Sequence, residues 1–130
     1  MNQSFRNFLD TYLNIWRTCS LGELKTIISI DYQAREINEG KIVDFGYEES
    51  IEGWKQGFDF VLNNDAKWII NEKSLLPLKD DETLVIITAT MEIDGSLLDR
   101  SHLFFQTFKR NSIDEWKLVR SYIEAGVTRL

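Results

Sequence analysis

Apolar residues recur along this chain with two periods, and the change from one to the other falls near residue 66. Before it, Phe5, Phe8, Leu9, Tyr12, Leu13 and Trp16 are spaced by threes and fours, which lays them along one face of a helix over 4–18. A shorter helix is predicted from Ser20, carrying Leu21, Leu24, Ile27 and Ile28, with Ser20 and Glu23 at the spacing of a capping box. Ile30 to Ile37 alternates weakly, and a short strand is predicted around Lys41 to Tyr47. Ser50 then reads as the cap of a third helix whose buried stripe is Ile51, Trp54, Phe58, Val61 and Leu62.

From Ala66 onward the period is two. Strands are predicted over Lys67 to Leu78, Glu82 to Ile93, Ser96 to Arg110 and Glu115 to Ala125. Lys79-Asp80-Asp81, Asp94-Gly95 and Asn111 to Asp114 supply the turns, the second being a strong hairpin signal. Helices followed by an antiparallel meander, with an early extra strand, make a single α+β domain over residues 1–130 in which helices cover one face of a curved sheet.

The last two strands carry polar residues inside their apolar alternation. With the loop Asn111 to Glu115 setting the register, Phe108 is expected opposite Trp116, Phe104 opposite Arg120, His102 opposite Tyr122 and Arg100 opposite Glu124. All would share one face with Gln106 and Leu118. A face that only excludes water does not normally hold two arginines, a histidine and a glutamate, so this one is expected to line a cavity that is aromatic at depth and polar at its wall. The alternative is a surface ion pair between Arg100 and Glu124, with His102 and Tyr122 at a wet sheet end or an interface. The opposite face also has an apolar band, including Leu103 and Phe105, and three helices cannot cover both faces, which argues for a homodimer through the sheet.

Charge and cysteine content narrow the partners. The net charge of −6, from 21 acidic and 15 basic residues spread along the chain, disfavours nucleic acid. No apolar run approaches the roughly 20 residues of a membrane span, Cys19 has no partner for a disulfide, and Met1 to Leu9 lacks the pattern of a leader, so a cytoplasmic protein is expected. Cys19 reads as a small buried filler. His102 is the lone histidine, and with Glu124 it would need a third ligand from elsewhere to hold a metal; no metal and no cofactor are expected. Gly53 and Gly57 lack a phosphate-loop context and are explained by close helix–sheet contact.

The order of elements, the aromatic first helix and above all Phe105-Gln-Thr-Phe-Lys-Arg followed by Asp114-Glu-Trp-Lys-Leu-Val-Arg-Ser-Tyr resemble the SnoaL-like, polyketide cyclase-like branch of the NTF2-like superfamily over nearly the whole chain. The last strand in that branch commonly reads tryptophan, basic, apolar, apolar, histidine, any residue, histidine. Trp116 matches, whereas Arg120 and Tyr122 stand at the two histidine positions. The resemblance implies an NTF2-like cone, N-terminal helices packed on a strongly curved, mainly antiparallel sheet around a pocket, and dimerisation through the sheet. Its members include isomerases, cyclases, epoxide hydrolases, dehydratases and binding proteins, so fold alone does not choose a reaction.

The resemblance therefore implies a small-molecule pocket for an apolar or anionic ligand, lined by Tyr12, Trp16, Tyr32, Trp54 and Trp68 together with Arg100, Phe104, Trp116 and Arg120. An isomerase or cyclase reading places acid–base chemistry on His102, Tyr122 and Glu124, with Asp99 as another base and Arg120 as another oxyanion contact. An epoxide-hydrolase relay fits poorly, because Asp99 and Arg100 are adjacent and point to opposite strand faces. A third reading is a structural or interaction protein whose interior is filled by its own aromatics.

Overall fold

Helices and strands alternate early and then give way to sheet. The structure, a computed structural model, describes residues 3–128. Its order is α1 (Gln3–Arg17), α2 (Leu21–Ile27), β1 (Ile28–Asn38), β2 (Lys41–Phe45), α3 (Tyr47–Asn63), β3 (Ala66–Pro77), β4 (Glu82–Ile93), β5 (Ser96–Leu97), β6 (Arg100–Arg110) and β7 (Trp116–Thr128). The strands form one seven-stranded sheet in the order β2-β1-β7-β6-β4-β3, with the short β5 on β4. The expected meander β3-β4-β6-β7 is present, and β1 adds to it parallel to β7 while pairing antiparallel with β2. The strand expected over Ser96 to Arg110 is broken: β5 pairs with the end of β4 through the Asp94-Gly95 turn, whose two residues both have positive φ, and the chain resumes at Arg100.

The α1 stripe forms as its spacing predicts. Phe5, Leu9, Tyr12, Leu13 and Trp16 are all buried, and Phe108 of β6 sits at the centre of their packing, with ring centroids 5.8 Å from Phe5, 5.4 Å from Phe8 and 5.2 Å from Tyr12. Each such fully buried side chain contributes roughly 1.5–3 kcal/mol relative to exposure.

Two helix caps differ from expectation. Ser20 precedes α2 but its hydroxyl bonds Thr18 at 3.0 Å instead of capping the helix. Helix α3 starts a turn earlier than Ser50: Gly46 is its cap residue, and the Glu49 carboxylate accepts the Gly46 N–H at 3.1 Å. Ser50 is thereby a buried residue on the helix, and Leu62, expected in the stripe, is exposed. The two helical glycines separate. A Cβ on Gly57 would stand 3.3 Å from Trp68, as expected of close helix–sheet contact, whereas a Cβ on Gly53 would meet nothing within 4 Å.

The largest departure lies in β7. Arg110 pairs with Trp116 and Phe108 with Leu118, but Thr107 pairs with Arg120, so Val119 is an extra residue in β7. Such a bulge reverses which face the following residues occupy. Beyond it Gln106 faces Ser121 and Phe104 faces Ile123 on the helix-covered side, while Arg120, Tyr122 and Glu124 lie opposite Thr107, Phe105 and Leu103 on the other side. A second irregularity follows, where Leu103 pairs with Glu124 but Ser101 with Val127, and there Gly126 has φ +71°. The expected pairs of Phe104 with Arg120, His102 with Tyr122 and Arg100 with Glu124 are therefore not formed.

One buried polar contact ties α1 to the sheet. Tyr12 Oη donates to Gln106 Oε1 at 2.8 Å, and both residues are almost fully buried. Tyr12→Phe is expected to leave that carboxamide oxygen without its donor and to lower stability by about 1–3 kcal/mol, measured as a lower urea midpoint with unchanged slope.

Candidate functional site

Between α1, α3 and the helix-covered face of the sheet is a cavity of ≈ 840 Å³, within the range of roughly 300–1,000 Å³ usual for small-molecule sites. Helix α3 presents Ser50, Gly53, Trp54 and Gly57 to it, a stripe at the three-and-four spacing of one helical face. Three of those four residues are small, but only Gly53 leaves free space above it, since a Cβ on Gly57 would press on Trp68. Trp16 of α1 forms the closed end, edge-on to Trp54 at 4.8 Å and to Phe104 at 5.2 Å, with Trp68 at 6.0 Å. Ala89 and Met91 of β4 and Ile123 of β7 complete the apolar wall.

Burial separates the polar groups into two sets. Tyr32, Ser50 and Gln106 line the cavity and are almost fully buried. Burial pushes the Tyr32 phenol up to about 12, with the Ser121 and Ser50 side chains beside it partly opposing that shift. Tyr12, one layer behind, is pushed up further by burial, against the opposing hydrogen bond to Gln106. These deep groups are thus neutral hydrogen-bonding partners around neutral pH. The ionisable groups stand nearer the mouth: exposed Arg100 and His102 from β6, exposed Asp44 and Glu49 from the β2–α3 segment, and half-buried Glu36 from β1. The Arg35 guanidinium, at 2.7 and 2.9 Å, holds the Asp44 carboxyl below its usual range. The β1–β2 hairpin pairs the Arg35 and Asp44 positions directly.

Of the residues expected around a pocket, Trp16, Tyr32, Trp54 and Trp68 are brought together with Phe104, and Arg100 and His102 stand at the mouth. The others are elsewhere. Tyr12 lies behind the lining on Gln106. Trp116 packs on Phe5 at 4.7 Å under the Arg110 guanidinium, away from the cavity. Arg120 is on the opposite sheet face, ion-paired with Glu82, and Tyr122 donates to Glu124 on that same face. The Val119 bulge is the reason: it turns this half of β7 over, so His102, Tyr122 and Glu124 do not share a site. A broader and more open depression of ≈ 1040 Å³ runs past Arg35, Phe105, Arg120 and Tyr122 to Tyr47.

Gln106 and Ser50 were missed as site residues. Gln106 gave a signal, a polar residue in phase with Phe104 and Phe108, and Ser50 was concealed by its cap-like context. Among the described residues, no group of three His, Cys, Asp or Glu side chains is placed to hold a metal ion, and no helix is long and apolar enough to cross a membrane.

No family model matches the sequence, and no curated protein does. Solved structures match over nearly its full length. An NTF2-like protein of unknown function in nutrient uptake from Rhodospirillum rubrum superposes with a TM-score of 0.66 at 16% identity, over 98% of this chain and 100% of that one. An NTF2-like protein from Cytophaga hutchinsonii gives 0.67 at 14% identity, over 96% and 99%. One of unknown function from Pseudomonas putida gives 0.70 at 9% identity, over 98% and 93%. The fold is NTF2-like. At these identities the likeness is one of fold, and an NTF2-like cone leaves its chemistry to the side chains that line it.

The buried phenols give this NTF2-like chain a distinct alkaline response. An unfolded tyrosine titrates near 10, so between about pH 10 and 12 the unfolded chain loses a proton that folded Tyr32 keeps, and stability falls as pH rises. Below that window Tyr32 contributes no pH dependence. Of a total of about 2–3 kcal/mol from Tyr32, about 1.4 kcal/mol is expected to be lost between about pH 9 and about pH 11, and Tyr32→Phe to make the decline shallower, as read by urea unfolding at those two pH values.

Proposed function

We propose that this protein binds a small, largely apolar, ring-containing molecule in the cone cavity. The observation that carries the reading is the open aromatic basin formed by Trp16, Trp54, Trp68 and Phe104, with a few fixed polar groups at its closed end. Protein interiors are normally packed to the density of organic crystals. A volume left open beside Gly53, with the rings of Trp16, Trp54 and Trp68 around it, is better suited to an occupant than to self-filling. Binding is favoured over acid–base turnover because the deepest groups, Tyr32, Ser50 and Gln106, are neutral hydrogen-bonding groups, and the ionisable ones, half-buried Glu36 among them, stand nearer the mouth. The resemblance of the terminal hairpin to SnoaL-like proteins is compatible with such a ligand.

The second copy expected from the sequence also belongs to this reading, as cover for the outer sheet face. That face carries half-buried Leu84, Leu103 and Phe105 beside exposed Tyr122. Its arginines are neutralised within the chain, Arg35 by Asp44 and Arg120 by Glu82, so two such faces meet without strong like-charge repulsion. Phe105→Glu is expected to convert a dimer to a monomer in sedimentation velocity while leaving the far-UV circular dichroism unchanged; a wild-type monomer at the same concentration would refute the pairing.

The cavity itself is tested at Gly53, where a side chain has room to enter. The neutral fluorophore N-phenylnaphthylamine is expected to brighten on binding to the wild type, and Gly53→Phe to weaken that binding by about tenfold or more. Glycine inside a helix costs roughly 0.5–1 kcal/mol relative to alanine, so the thermal midpoint of the variant should hold or rise. Equal binding by both proteins would mean that the probe sits elsewhere.

A further inference from the structure

Resting on that reading, we propose that the cavity's ligand carries a carboxylate, and that this group docks at the mouth on Arg100 and His102. The two side chains are held by one residue. Gly126, in the left-handed region at φ +71°, accepts Arg100 Nη1 through its carbonyl at 3.0 Å and donates its N–H to His102 Nδ1 at 3.3 Å. An imidazole that accepts at Nδ1 carries its proton on Nε2. The mouth of the cavity is therefore provided with the Nε2–H of the histidine and the remaining N–H groups of a guanidinium, donors held by the same glycine.

The charge pattern gives these donors an anion to seek. Arg6, Arg35, Arg110 and Arg120 each pair with a carboxylate of the chain. Arg100 bonds a backbone carbonyl instead, although the chain has six more acidic than basic residues. Arg17 also bonds only a carbonyl, that of Ile70, but does not line the cavity. The acidic groups of the mouth are on the other side of β7, on β1, β2 and the start of α3: Glu36, Asp44 held by Arg35, and Glu49 engaged with the Gly46 N–H. A ligand with an apolar body and one carboxylate is thus directed toward the β6 side. His102 also adjoins Phe104, with ring centroids 6.1 Å apart, and Phe104 is 5.2 Å from Trp16, so head-group donors and the aromatic basin are continuous. A guanidinium and a neighbouring N–H suit the paired oxygens of a carboxylate.

The test compares naphthoate with naphthamide, which share ring and shape and differ in charge, by isothermal titration calorimetry on the intact protein. The wild type is expected to bind naphthoate about tenfold more tightly. Arg100→Gln, an exposed substitution, is expected to abolish that preference by weakening naphthoate alone, whereas Arg110→Gln, away from the cavity, should retain it. Equal wild-type affinities, or a preference that survives Arg100→Gln, would overturn the head-group assignment and leave the cavity reading standing on naphthamide and N-phenylnaphthylamine. Failure of both neutral probes to bind would overturn the cavity reading and the carboxylate site with it.

Discussion

A strand can keep only one alternation, and β7 has to serve three surroundings. At its start Trp116 and Leu118 pack under α1; in its middle Ser121 and Ile123 face the helix-covered side; near its end it reaches the cavity mouth. Unbroken alternation from Leu118 would have turned Arg120, Tyr122 and Glu124 toward Trp16 and Phe104. Burying such charges costs several kcal/mol per ion even after relaxation, far more than one unpaired residue in a sheet. The extra residue at Val119 avoids that cost and sends the charged set outward. Bulges also bend and twist a strand, which is the deformation a sheet needs in order to wrap a cavity.

The interior is consequently layered. Phe108, Phe5 and Tyr12 form a dry aromatic contact between α1 and β6, and the Tyr12–Gln106 hydrogen bond marks the boundary between this packed layer and the open one. On the open side the rings of Trp16 and Trp68 stand opposite α3, which presents Trp54 among its small residues. Gly57 is needed for contact, since a Cβ would press on Trp68, but Gly53 has free space above it. That contrast separates a glycine required by packing from one that leaves volume, and only the second explains why the cavity is not closed.

Part of this was legible from local pattern. The α1 stripe and the bounds of β4 follow from period and residue type, because a single element determines each; the aromatic lining came from the family resemblance, and of that set Trp16, Tyr32, Trp54, Trp68 and Phe104 meet at the cavity whereas Tyr12 and Trp116 lie elsewhere. What failed depended on pairing between elements. Trp116, Leu118 and Val119, Ser121, Ile123 are two alternations out of phase, joined at adjacent apolar residues; the doubled Leu118-Val119 is the one local sign of the bulge, and continuing the first alternation past it placed Arg120, Tyr122 and Glu124 on the wrong face. The parallel union of β1 with β7 is non-local and leaves no local signal at all. Ser50 was misread because the true cap is formed by a backbone N–H and Glu49, without a capping side chain at Gly46.

The second irregularity of β7 connects the sheet's geometry to the chemistry at the mouth. Glycine adopts φ +71° without the steric cost a Cβ brings, and in that conformation the Gly126 N–H and carbonyl both reach side chains of β6. Its two backbone polar groups thereby satisfy themselves and orient His102 and Arg100 together. A continuous ladder would direct those groups along the strand pair and leave both side chains to solvent. The first bulge removes misplaced charge from the cavity, and the second fixes the charge that remains at its entrance; the polarity of the site is a consequence of how β7 is interrupted.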